Sequence, residues 1–210
     1  MTQLALSAVP AQIRSATISS CGTYRYSLER SVPALAADDV SLGARLAPRF
    51  TPLRGPLVAW LMLNPSTADA QQDDPTIRKV VGFSRRAGYG RVIVVNLYAF
   101  RATDPRQLRN VLRRGPGHVG ERLARAEGPA NREAIVEAAR TAAVVVCAWG
   151  AQPWARGQAA RVLDWIGETG AQVLCLGLSK AGDPLHPLTL GYDKHPLRPF
   201  EPNKILEDRS

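Results

Sequence analysis

The stretch 57–78, LVAWLMLNPSTADAQQDDPTIR, decides the architecture. An apolar run over 57–63 meets the polar turn Asn64-Pro65-Ser66. A continuous apolar run bounded by turn residues predicts a strand buried on both faces. A loop carrying Asp69, Asp73 and Asp74 follows, and Asp74-Pro75 opens an amphipathic pattern. Asp before Pro predicts a helix start. The carboxylate accepts a free backbone N–H, and Pro is pre-set for the first helical position. The stretch therefore reads as strand, loop, helix. In open α/β sheets ligands bind at that junction, beyond the carboxyl ends of the strands.

The same grammar repeats along the chain. The first helix is expected over 75–87, with Gly88 as its stop. RVIVVNLY at 91–98 predicts a second buried, β-branched strand, and Asp104-Pro105 opens a helix over 105–114. On that helix Arg106, Arg109 and Arg113 share one stripe, and Leu108, Val111 and Leu112 another. The segment 115–120 reads as a break, with Arg122 and Arg125 extending the basic region. Further helices are expected over 130–141 and 153–167, and further strands over 143–148 and 172–178. TYRYSLER at 23–30 reads as an edge strand or hairpin arm, 31–56 as loop, and the proline-rich end as extended.

Strands alternating with helices imply a parallel sheet covered on both faces. The expected fold is α/β, a three-layer αβα sandwich around a central, mainly parallel four-stranded sheet. One domain is expected over 21–200, with a weakly ordered segment 1–20 and a tail 201–210. Parallel strands all end on one edge. The loops 64–74, 96–104, 149–154 and 179–190 therefore converge there.

Composition narrows the function classes. At 210 residues and 45% apolar, the chain can bury a sizeable core. Its apolar runs are strand length, too short to span a bilayer, so no membrane partner is expected. No charged segment leads into an apolar one at the start, so a cytoplasmic location is expected. Cys147 and Cys175 lie inside apolar runs and read as reduced core residues, and Cys21 is isolated. The net charge is +9, most of it arginine. That excess suits a phosphate-bearing partner, nucleic acid or nucleotide, or else lies on solvated faces.

Several polar residues fall at the converging loops. Asn64 and Ser66 either bond their own turn or hold a water or a polar ligand edge. Asn96 ends a buried β-branched run and must satisfy a donor and an acceptor. It either bonds backbone or reads a planar amide edge, such as a nucleobase. His186, in HPL at 186–188, can donate to or protonate a developing anion, and Leu188 is packing or a wedge. Asp69, Asp73 and Asp74 either form a metal or base cluster or divide into a helix cap and solvated carboxylates. No His or Cys stands at ligand spacing beside them, so no metal site is assigned. Glycine-rich phosphate loops, CxxC pairs and a Ser-His-Asp motif are absent from the sequence. No cofactor is assigned.

Taken in order, LMLNPSTADA, DDPTIR, VVNLYAFRATDP, VCAWG and LGLSKAGDPLHPL resemble the bacterial family of uncharacterised proteins called DUF1643, over about 24–190. More distantly, the order of Asn64-Pro65-Ser66, Asn96, Trp149-Gly150 and His186-Pro187-Leu188 resembles the uracil-DNA glycosylase superfamily. That resemblance implies a glycosylase-like fold. It implies that Asn64 positions a water, Asn96 reads the base, His186 stabilises the departing base anion and Leu188 presses on the nucleic acid. Phe100 would be a stacking partner, and Arg101, Arg106, Arg109 and Arg113 would contact phosphate. Many of these glycosylases carry Asp where this chain has Asn64, and the last loop lacks their serine after His-Pro. The expected function is a nucleobase-recognising, N-glycosidase-like hydrolase acting on nucleic acid or on a nucleoside or nucleotide. The alternatives are a non-catalytic nucleotide or modified-base binder, and a metal-dependent phosphoesterase using Asp69, Asp73, Asp74 and His186.

Overall fold

The structure is a computed structural model that describes residues 12–33, 55–66 and 68–201. Its strands are β1 (Arg14–Ile18), β2 (Arg25–Ser31), β3 (Leu57–Met62), β4 (Arg91–Asn96), β5 (Val144–Cys147), β6 (Val173–Cys175) and β7 (Arg198–Pro199). Its helices are α1 (Pro75–Arg86), α2 (Pro105–Arg114), α3 (Val119–Glu127), α4 (Asn131–Thr141) and α5 (Arg156–Gly167). Short 3-10 turns occupy Pro153–Ala155 and Pro187–Thr189.

Strand β3 is buried along nearly its whole length and sits at the middle of the sheet. Its alternation divides two cores. Val58, Trp60 and Met62 meet Ile77, Val80 and Phe83 of α1. Ala59 and Leu61 lie in the opposite core with Ile135 of α4 and Val162 and Ile166 of α5. Helices thus cover both faces. Asp74 starts α1 as expected: its Oδ1 accepts the Ile77 N–H at 2.8 Å, and Pro75 holds the first turn. Asp104 starts α2 the same way, accepting the Arg106 N–H at 2.8 Å.

The expected four strands are all present and mutually parallel, in the order β4-β3-β5-β6. The four-stranded, mainly parallel sheet is nonetheless a correction, because the sheet is mixed and has seven strands. The reason lies at its edges. Open strand edges leave backbone donors and acceptors unpaired. Here β2 pairs antiparallel with β4, β1 with β2, and the short β7 with β6. TYRYSLER is therefore the inner arm of a hairpin. The segment 1–20 contributes β1, while residues 1–11 lie outside the described ones, as do 34–54 of the expected loop 31–56 and most of the tail. Helix α3 begins inside the expected break at 115–120. Its cap is His118, whose Nδ1 accepts from the Glu121 N–H while the Glu121 carboxylate accepts from the His118 N–H. The fourth strand is shorter than its apolar run, since Gly177 leaves the extended region at φ 140°.

Two anchors hold the loops that surround the sheet edge. Arg30, only 2% exposed, donates Nε to Asp73 at 2.7 Å and Nη2 to the Asp69 carbonyl. Asp183 is buried and accepts two bonds of 3.0 Å from Arg156, which ties the His186 loop to α5.

The fully buried Trp60 donates its indole N–H to Ser84 Oγ at 2.9 Å, and Ser84 donates to the Val80 carbonyl. Ser84→Ala leaves that indole N–H unpaired in the core, so unfolding free energy should fall by about 1–3 kcal/mol. Urea unfolding reads this as a lower midpoint at unchanged slope; an unmoved midpoint would show that the bond contributes nothing.

Candidate functional site

The parallel strands reverse order at β3. The chain leaves β3 for β4 on one side and returns to β5 on the other. Crevices form at the carboxyl ends of strands at such a reversal. Here a cavity of about 380 Å³ opens there, within the range of small-ligand pockets. Asn64 and Ser66 after β3, Asn96 at the end of β4, Trp149 and Gly150 after β5, and His186 and Leu188 of the last loop all line it. Arg25 of β2, Asp74 and Thr76 at the start of α1, and Pro105 at the start of α2 complete the wall.

Asn96 is fully buried, and among the described residues neither its Oδ1 nor its Nδ2 has a hydrogen-bond partner. The backbone carbonyls beside it are not the cause. Asn131 Nδ2 donates to the Asn96 carbonyl at 3.0 Å, and Gln158 Nε2 donates to the Leu97 carbonyl at 3.1 Å. The end of the strand is satisfied while the side chain facing the cavity is not. A buried polar group without a partner costs about 1–3 kcal/mol.

His186 lines the same cavity, half-buried. Its Nδ1 accepts the Leu188 N–H at 3.3 Å. With Nδ1 occupied as an acceptor, the neutral ring carries its proton on Nε2. Burial pushes its pKa below 6.5, and the Asp74 carboxylate opposes that shift. His186 is thus a neutral N–H donor at pH 7. Gly150, at φ 81°, lets the chain turn beside it; a Cβ there would stand 3.2 Å from the His186 Cβ. The loop is also pinned from its far side. Lys79 donates to the Leu190 carbonyl at 2.7 Å, and Tyr192 stacks edge-on against Phe83.

Asp74 is more than the expected helix cap. Its Oδ1 caps α1, its Oδ2 accepts from Ser66 Oγ, and it lines the cavity. Asn64 spends its Nδ2 on the Pro65 and Ala102 carbonyls, at 3.0 and 2.8 Å, which leaves Oδ1 as its acceptor. Trp149 is almost fully buried with its ring against Phe200. Pro65, Phe100 and Arg101 are not brought to the cavity. Phe100 pairs with Tyr24 in an isolated bridge, and Arg101 donates to the Gly22 carbonyl. Arg106, Arg109 and Arg113 lie exposed on α2.

The three loop aspartates do not gather. Asp69 accepts the Gln71 and Gln72 N–H groups, Asp73 pairs with Arg30 and Arg14, and Asp74 acts as described. Among the described residues no group of three or more His, Cys, Asp or Glu side chains is placed to hold a metal ion. Cys147 and Cys175 are buried free thiols on paired positions of β5 and β6, and burial raises the Cys147 pKa. No helix among the described residues is long and apolar enough to cross a membrane.

Sequence reasoning missed Arg25, a buried cation of the cavity wall, because TYRYSLER reads only as an alternating strand. Residues 49–188 match the family described as a protein of unknown function, DUF1643. The chain belongs to that family. The matched residues include every strand of the parallel core and all the cavity residues except Arg25. No curated protein and no solved structure matches the chain.

The His186 environment can be read directly. In proton NMR its imidazole should titrate below 6.5, and lower still in Asp74→Asn, which keeps the helix cap but removes the charge that favours the imidazolium. His186→Gln assigns the signal. Because the unfolded chain binds that proton more tightly, His186 should cost stability as pH falls through 6.5 and nothing above it. A midpoint at or above 6.5 would contradict the buried, neutral ring.

Proposed function

We infer that the cavity recognises a nucleobase and that this DUF1643 protein is an N-glycosidase-like hydrolase of a nucleoside, a nucleotide or nucleic acid. The observation that carries the reading is Asn96. A carboxamide with a free donor beside a free acceptor matches the edge of a planar amide, and such an edge would satisfy both atoms at once. Asn64, Trp149, Gly150 and His186, which carry the distant glycosylase resemblance together with Asn96, line the same cavity.

The charges around Asn96 suit the chemistry. Breaking a glycosidic bond develops negative charge on the departing base and positive charge on the sugar. A neutral His186 with its proton on Nε2 offers a donor to the base anion without first losing a proton. Asp74 offers a carboxylate near the developing cation. Preorganised groups of this kind act where charge appears in the transition state. Asn64 Oδ1 is an acceptor for the attacking water, although an amide cannot take its proton.

A non-catalytic base binder is the second reading. Both oxygens of Asp74 already accept internal hydrogen bonds, and this favours it.

Mass spectrometry separates the two. The protein is incubated with nucleosides, nucleotides, RNA and single- and double-stranded DNA carrying normal, deaminated and alkylated bases. The enzyme reading predicts a freed base, with release slowed about 10²–10³-fold in His186→Ala while binding is little changed. Asn96→Ala should lose binding itself. Binding without release at high protein concentration favours the second reading, and binding of no base-bearing molecule removes both.

A further inference from the structure

Two arginines of β2 are buried to the same extent, each 2% exposed, yet their surroundings differ. Arg30 is saturated: Nε pairs with Asp73, Nη1 donates to the Glu29 and Ser15 carbonyls, and Nη2 donates to the Asp69 carbonyl. Among the described residues the Arg25 guanidinium makes one hydrogen bond, from Nη1 to the Ala68 carbonyl at 2.7 Å. Its Nε is buried without a partner, and no described carboxylate forms an ion pair with it. Burial lowers its pKa to about 10, with the Asp74 charge opposing, so it stays cationic at pH 7. Buried charges are ordinarily paired and hydrogen-bonded, because removing an ion from water is expensive. Within one strand, the protein completes the partners of one guanidinium and leaves the other open to the cavity.

The neighbours of Arg25 point to what completes it. Thr76 lines the same cavity at the second position of α1, and its backbone N–H lies in the first helical turn, where amides have no intrahelical acceptor. The positive end of the α1 dipole is directed there as well. The Asp74 carboxylate is already engaged by the Ser66 hydroxyl and the Ile77 N–H, which temper its charge towards an incoming anion.

We propose that Arg25, with Thr76 and the first turn of α1, is an anion subsite that takes the phosphate of the base-bearing ligand. The proposal deepens the nucleobase reading and rests on it for the identity of the rest of the ligand. The substrate class is a nucleoside 5′-monophosphate, or one nucleotide of a nucleic acid strand, rather than an uncharged nucleoside or a free base. The cavity volume is near the lower end for small-ligand pockets, which suits a single nucleotide.

The test is calorimetry on the full chain at low salt, with the common nucleosides, their 5′-monophosphates, ribose 5-phosphate and a short single-stranded oligonucleotide. For at least one base, the monophosphate should bind about tenfold or more tighter than its nucleoside. Arg25→Gln should abolish that difference while nucleoside affinity stays within about twofold, and Arg25→Lys should restore part of it. Preference for the oligonucleotide over every mononucleotide, lost in Arg25→Gln, assigns the phosphate to a strand. Equal affinity for nucleoside and monophosphate across the panel, or a preference that survives Arg25→Gln, overturns the proposal. Ribose 5-phosphate binding as tightly as any nucleotide, and only when Arg25 is present, leaves the anion subsite standing while the nucleobase reading falls. If Arg25→Gln does not fold, the wild-type melting temperature decides. Inorganic phosphate should raise it above chloride at equal ionic strength, and no rise overturns the proposal.

Discussion

Strand β3 is hydrogen-bonded along both edges, and both pairings are parallel. Everything at the cavity follows from that. Parallel neighbours must be joined by crossovers, so each strand that ends beside β3 is followed by a loop and a helix on the same side. Because the chain goes first to β4 and then returns past β3 to β5, the loops part and leave a crevice between them. The apolar run of β3 fills both cores and cannot carry polar chemistry itself. Its contribution is to end, at Asn64 and Ser66, where the other three strands also end.

A cavity built this way is lined by whatever the strand ends supply, and here the supply is unbalanced. The carbonyls at the end of β4 are met by Asn131 and Gln158. The Asn96 carboxamide and the Arg25 guanidinium are not met to the same degree. Each unsatisfied buried group costs folding free energy that packing elsewhere must offset. Arg30 and Asp183 show that the same chain satisfies buried charge fully where the task is to fasten a loop. Single unpartnered atoms also occur away from the cavity, at Asn131 Oδ1, Gln158 Oε1 and the Nε atoms of Arg91 and Arg101, but among the described residues Asn96 is the carboxamide left unpaired at both of its polar atoms, and it lines the cavity.

Much of this was legible in the sequence, for identifiable reasons. The parallel strands are buried on both faces, so each appears as an unbroken β-branched run. Asp74-Pro75 and Asp104-Pro105 mark helix starts because a carboxylate cap and a fixed proline φ act locally. The hairpin of β1 and β2 and the short β7 were harder to see, because their pairing depends on distant partners rather than on their own pattern. Helix α3 is capped by a histidine, which is not a usual start signal. Asn96 and His186 could be placed at the cavity from strand ends alone. Phe100 could not: only the glycosylase resemblance suggested stacking, whereas the backbone there pairs with Tyr24 and the residue does not line the cavity. Arg25 was invisible because burial of a charged residue is a tertiary fact. So was the second role of Asp74, which reads locally as a cap and nothing more.

The central claim is that Asn96 is left unpaired in order to be paired by a base. The most direct measurement is the ¹⁵N-edited spectrum of its side-chain amide, assigned with Asn96→Ala, while free nucleobases are titrated one at a time. The account predicts that in the free protein the Asn96 amide protons lack the downfield shift of a hydrogen-bonded pair. One base, normal or modified, should then move them downfield while most others do not. Amide protons already at hydrogen-bonded positions in the free protein, or unmoved by every base, would contradict it.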